Sequence, residues 1–144
     1  MSLLPIPPIE SATDPIASPA DLHQRWRALM QDLGFGERLL RFAFIGPDRR
    51  FLKVLSDVEI GVKPVPALAD NLMWSLRELV DGLGDGYTVA LLLTRPGRGG
   101  LSNNDRRWCE VLTAAAAHHH VPIEPIFRAN DEDLVAIRPR ATAA

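Results

Sequence analysis

Apolar residues recur along this chain at two spacings, helical and strand-like, and the alternation between them predicts its elements. Leu22, Trp26, Leu29, Met30 and Leu33 keep the helical spacing after Ser18-Pro19-Ala20-Asp21, where Ser18 suits the N-cap, Pro19 the first turn and Asp21 the third position. Gly34 or Gly36 is expected to end this helix. Leu39 to Ile45 and Phe51 to Ile60 read as two strands joined by the turn Gly46-Pro47-Asp48-Arg49-Arg50 into an antiparallel hairpin. Lys53, Ser56, Asp57 and Glu59 make the second strand the more exposed of the two and place it near the sheet edge.

From Ala67, the positions Leu68, Leu72, Met73, Leu76, Leu79 and Val80 trace a second amphipathic helix, closed by Gly82 and Gly84, with Trp74 beside its stripe. Thr88 to Thr94 is an apolar run bounded by Gly84-Asp85-Gly86-Tyr87 and Pro96-Gly97, the length and punctuation of a central strand buried on both faces. A glycine-rich loop leads from it to Ser102-Asn103-Asn104-Asp105, a helix start with Ser102 as N-cap and Asp105 as a third-position carboxylate. Trp108, Leu112, Ala115, Ala116 and His119 share one face of that helix. Val121 to Phe127 is extended, its hydrogen bonding restricted by Pro122 and Pro125. A polar turn, Asn130-Asp131-Glu132-Asp133, precedes a last short strand, Leu134 to Ile137.

The pattern therefore predicts a single α/β domain over residues 18–139, with a mixed, largely antiparallel sheet flanked by helices in the order α-β-β-α-β-α-β-β. Residues 1–17, with Pro5, Pro7, Pro8 and Pro15, read as an extended arm that holds no helix, and residues 140–144 as a disordered tail.

Composition narrows the chemistry. A net charge of −2 gives no general attraction to nucleic acid or anionic membrane. One cysteine, Cys109, excludes an internal disulfide and fits a small buried residue. No segment has the ~20 apolar residues of a membrane span, so the expected location is cytoplasmic and no membrane partner is expected. Fourteen of the sixteen basic residues are arginines, and Lys53 and Lys63 are the lysines, a bias that suggests a GC-rich bacterial genome.

Three constellations stand out. Arg95, Arg98, Arg106 and Arg107 cluster around the glycine loop and a helix start, a pattern suited to anions or nucleic acid, although Asp105 already occupies the cap and the Walker ending is missing. His118-His119-His120 is expected to diverge, because successive helix residues point about 100° apart, so no metal or cofactor is assigned. The acidic turn lacks the ligand spacing of a calcium loop, His23 reads as a rim residue, and no Gly-x-Ser-x-Gly elbow supports a catalytic serine.

Leu93-Thr94-Arg95-Pro96, the loop Gly97 to Gly100, Ser102-Asn103-Asn104-Asp105, Val121-Pro122-Ile123 and Asp133 to Ile137 together resemble the C-terminal domain of RadC-like proteins, within the JAB/MPN metalloprotease-like superfamily. The resemblance implies a JAB/MPN-like or cytidine-deaminase-like scaffold over residues 20–139. In active members two histidines and the aspartate bind zinc, a glutamate before the hairpin is the base, and the serine stabilises the tetrahedral intermediate. Here Leu93 and Arg95 stand at the histidine positions, the loop is one residue shorter, and Arg38 rather than Glu37 aligns with the base. The resemblance thus implies a degenerate pocket of Leu93, Arg95, Ser102 and Asp105 with no catalytic residue, and a pairing of Arg95 with Asp105 in place of metal. The expected function is a non-catalytic protein-interaction module whose partner is a protein or a second copy, reached by the arm or an edge strand. Anion or nucleic-acid binding ranks second and metal-dependent hydrolysis last.

Overall fold

A computed structural model describes residues 6–137. In order, it contains a 3-10 turn (Ile9–Thr13), α1 (Pro19–Met30), β1 (Leu39–Ile45), β2 (Phe51–Glu59), α2 (Pro66–Leu83), β3 (Thr88–Thr94), α3 (Asn103–His118), β4 (Phe127–Ala129) and β5 (Leu134–Ala136). The sheet order is β2-β1-β3-β4-β5, with β3–β4 parallel and the other three ladders antiparallel. This is the mixed, largely antiparallel α/β domain that the residue pattern predicts, with β3 central and β2 at an edge.

Both β2 and β3 run antiparallel to β1, so α2 joins two parallel strands across it, and α3 joins the parallel pair β3 and β4. The two crossovers lie on one face of the sheet and α1 on the other. The alternation of β3 makes the division: Leu91 and Leu93 pack with Met73, Leu76, Trp108 and Leu112, while Ala90 and Leu92 pack with Trp26, Ile45 and Phe127. Full burial of a Leu or Phe contributes about 1.5–3 kcal/mol, so this doubly covered strand is a principal source of stability.

Several boundaries differ from the sequence expectation. Helix α1 stops at Met30, not at Gly34, because Gln31 takes a left-handed φ of 50° and its N–H closes on Arg27 O. The Gln31 side chain holds this end by donating to Pro7 O and Ala28 O. Between Val121 and Ile126 one parallel bridge, Ile123 to Val89, reaches the sheet before β4 begins. The described part of the arm is not uniformly extended: Ile9–Thr13 forms a 3-10 turn, Ala12 and Ile16 are buried, and Ile16 N–H donates to Arg49 O. Arg49 ties the hairpin turn to that segment and to the approach to β4, donating to Ile16 O and, with two bonds, to Glu124. Residues 1–5 of the expected arm, the domain end at 139 and the tail at 140–144 lie outside the described residues. Among the described residues no helix is long and apolar enough to cross a membrane.

Candidate functional site

The strand that carries Leu91 and Leu93 toward α2 and α3 carries Arg95 the same way, two residues further on. Arg95 thereby meets the first turn of α3. Its Nε donates to Asp105 Oδ1 and its Nη2 to Asp105 Oδ2, both at 2.9 Å, a two-bond fork of the guanidinium on the carboxylate. The pairing expected of these two residues is present. Asp105 is 3% exposed and also completes the cap of α3: its Oδ2 accepts from Ser102 N–H at 2.9 Å, and its own N–H donates to Ser102 Oγ at 3.0 Å.

A second arginine reaches the same carboxylate from behind. Arg128, on β4, is fully buried, with its Nε 3.6 Å from Asp105 Oδ2 and its Nη1 2.5 Å from Asp133 Oδ1. Two cations and two carboxylates therefore balance, as buried charge requires. Burial pushes the Asp105 carboxyl up, but the Arg95 hydrogen bonds, the Ser102 N–H and the two guanidinium charges outweigh it and hold the group below its ordinary range. The hydrogen bonds to Asp105 in turn raise Arg95 above its ordinary value, against a smaller opposing effect of burial.

The glycine loop is clasped to the turn after β4. Gly97 N–H donates to Asp131 Oδ2, whose other oxygen accepts from Phe35 N–H, and Gly97 O accepts from Asp131 N–H. Gly99 O accepts from both Arg128 and Asn130, and Asn130 Oδ1 accepts from the N–H groups of Glu132 and Asp133. The acidic turn is thus a fastener, not a solvated bend: Asn130 is fully buried and Asp131 bridges two other loops.

What remains open is small. Leu93, Arg95 and Asp105 line, with Arg38, Ile60 and Trp108, a cavity of about 10 Å³, room for one water at most. Ser102 joins this group through the cap. Arg38 faces the cavity, whereas Glu37 is exposed and lies on a separate surface cleft with Gly34 and Phe35. The single carboxylate of the cavity is ionised and fully engaged, so no general acid or base is poised there. Of the four arginines expected to hold an anion, Arg95 is committed to Asp105 and Arg106 donates to Leu101 O. Arg98 and Arg107 are exposed, and the N-terminal N–H groups of Ser102 and Asp105 are already capped.

Arg128 and Asn130 are the site residues that sequence reasoning missed. In Phe127-Arg128-Ala129-Asn130 the polar residues alternate with apolar ones, and only their burial distinguishes them from solvent-facing strand residues.

Elsewhere, Cys109 is half-buried; burial pushes its thiol up and the Glu110 charge adds to this against a hydrogen bond with Thr113. It is not an activated nucleophile. His23 Nε2 lies 2.7 Å from Leu134 O and ties α1 to β5. The histidine run departs from expectation: α3 ends at His118, His119 is its C-cap, and His120 has a φ of 57°. His119 N–H still closes on Ala115 O, so His118 and His119 keep the helical fan and only His120 leaves it; the donor atoms of His118, His119 and Asp70 nevertheless lie within 4.8 Å of one another.

The sequence matches no protein-family model and no curated protein.

Proposed function

We propose that this chain is a non-catalytic protein-interaction module whose partner is a second copy of itself, met through the free edge of β2. On this reading the scaffold is a degenerate relative of the RadC-like JAB/MPN domains, and the place of their zinc is filled by the Arg95–Asp105–Arg128 cluster. The observation that carries the non-catalytic part is the 10 Å³ cavity, which admits no substrate.

The edge strand supports the choice of partner. β2 pairs with β1 on one side and, among the described residues, with no strand on the other. Lys53, Val54 and Leu55 are exposed in succession, Val54 at 61% and Leu55 at 38%. Beside them an open groove of about 460 Å³ runs between β2 and the 3-10 turn, lined mainly by apolar residues including Ile9, Ala12, Leu29, Phe51 and Leu55. Open edges with apolar neighbours add strands readily. The strand is also self-complementary. Antiparallel pairing about Leu55 sets Leu55 against its own copy and Lys53 against Asp57 on either side, whereas pairing about Asp57 would oppose like charges. Between Ala43 and Ile45 the register with β1 shifts and β2 carries additional residues around Lys53, a bulge of the kind that restrains indiscriminate pairing at an edge.

Light scattering coupled to size exclusion tests this reading. It predicts a mass of two chains that falls to one chain with Leu55→Glu, while a monomer at every concentration would refute it.

Anion binding at the glycine loop has less behind it, since two of the four arginines and the helix cap are occupied by protein partners.

A further inference from the structure

Helices α2 and α3 both return against the direction of β3 and so run side by side in the same sense. Pro66 and Ala67 lie across a surface groove from Val111, Ala114 and Ala115, and Asp70 follows one turn later. That register brings Asp70 to the C-terminal end of α3. There His119 Nε2 lies 2.6 Å from Asp70 Oδ1, and the His118 and His119 rings stand edge to face with centroids 4.9 Å apart. Arg77, one side of an ion pair with Asp81, donates to His120 O and fixes the end of the helix against α2.

We infer that Asp70, His118 and His119 form a binding site for a divalent transition-metal ion, zinc being the best match. Two imidazole nitrogens and one carboxylate oxygen are among zinc's usual ligands, the imidazoles favouring it over calcium or magnesium, and three protein ligands leave a fourth position for water. The three donor atoms already lie within 4.8 Å of one another, and tetrahedral bonds of about 2.0–2.1 Å need them roughly 3.3 Å apart. Side-chain rotation alone covers the difference, because Asp70 and His118 are exposed and His119 is partly so. The negative end of the α3 dipole favours a cation at this position. The Arg77 charge opposes one, but it is neutralised by Asp81. The Asp70 carboxylate accepts the hydrogen bond from His119 Nε2; a metal bound at that nitrogen takes the place of this hydrogen bond and requires the tautomer whose proton sits on Nδ1.

The test uses the full-length chain, stripped with chelator and desalted. Zn²⁺ is titrated by calorimetry, and Co²⁺ by visible absorption. The site predicts one saturable equivalent, and affinity lower by about tenfold or more in His118→Ala, His119→Ala and Asp70→Asn. Asp70→Asn keeps the shape and the hydrogen bond to His119, so it separates loss of a ligand from loss of fold. His120→Asn, which tolerates the left-handed backbone at that position, is expected to bind as the parent does. Absence of a saturable equivalent, or a loss in His120→Asn equal to that in His119→Ala, overturns the assignment.

Discussion

Arg128 lies with its Nε 3.6 Å from Asp105 Oδ2, fully buried, directly behind the carboxylate that Arg95 clamps from the front. Asp105 is therefore the common counter-charge of two arginines as well as the cap of α3. The end of the central strand, where an α/β fold commonly places its chemistry, is here a neutralised structural joint.

Removing the shared charge is predicted to be the most costly change at this joint. Asp105→Asn leaves Arg128 with Asp133 as its one remaining carboxylate and weakens the clamp on Arg95, and a broken buried pair costs about 3–5 kcal/mol. Arg95→Met leaves Asp105 its cap and its Arg128 neighbour and is expected to cost about 2 kcal/mol, the scale of hydrogen bonds to a charged group. Urea unfolding of both variants measures the difference; equal costs would contradict the sharing.

The joint also predicts the direction of the acid response. Asp105 and Glu124 are held below their ordinary values, 3.8 and 4.5, by arginine partners. Their contribution to stability is present above those values and is lost as pH falls through the lower folded-state values. Unfolding temperature should thus fall on acidification below about pH 4, and the Asp105→Asn variant should lose less over the same range. A variant with an unchanged acid slope would show that the carboxylate is not linked to folding.

Much of this arrangement is legible in the residues. The apolar run of β3 has one reading as a strand covered on both faces, Ser102 and Asp105 announce the cap, and four polar residues in β2 mark it as an edge. The remainder depends on partners distant in the chain. Nothing local says that Arg128 is buried, since its compensation comes from Asp105, Asp133 and Gly99 O. Asp131 looks like part of a charged bend until Phe35 and Gly97 bring their N–H groups to it. The histidines depend on a distant partner as well: nothing local says that Asp70, on α2, brings its carboxylate beside His118 and His119.

Whether the end of β3 can hold a metal is a direct check on the neutralised joint. Leu93→His with Arg95→His, made in a His118→Ala background to silence the surface site, supplies the two ligand types that the RadC-like resemblance implies. The Arg128 guanidinium next to Asp105 still repels a divalent ion, so no zinc equivalent beyond the parent is expected in plasma emission analysis. An extra equivalent that Asp105→Ala removes would mean that two substitutions alone separate this chain from a metal site.

Self-association through β2 is the central claim, and charge exchange across the strand tests it most directly. Lys53→Asp places acid against Asp57 of the partner copy and is predicted to reduce the light-scattering mass from two chains to one, while Lys53→Asp with Asp57→Lys restores two. A mass unchanged by the single substitution, or not restored by the double one, would contradict the pairing.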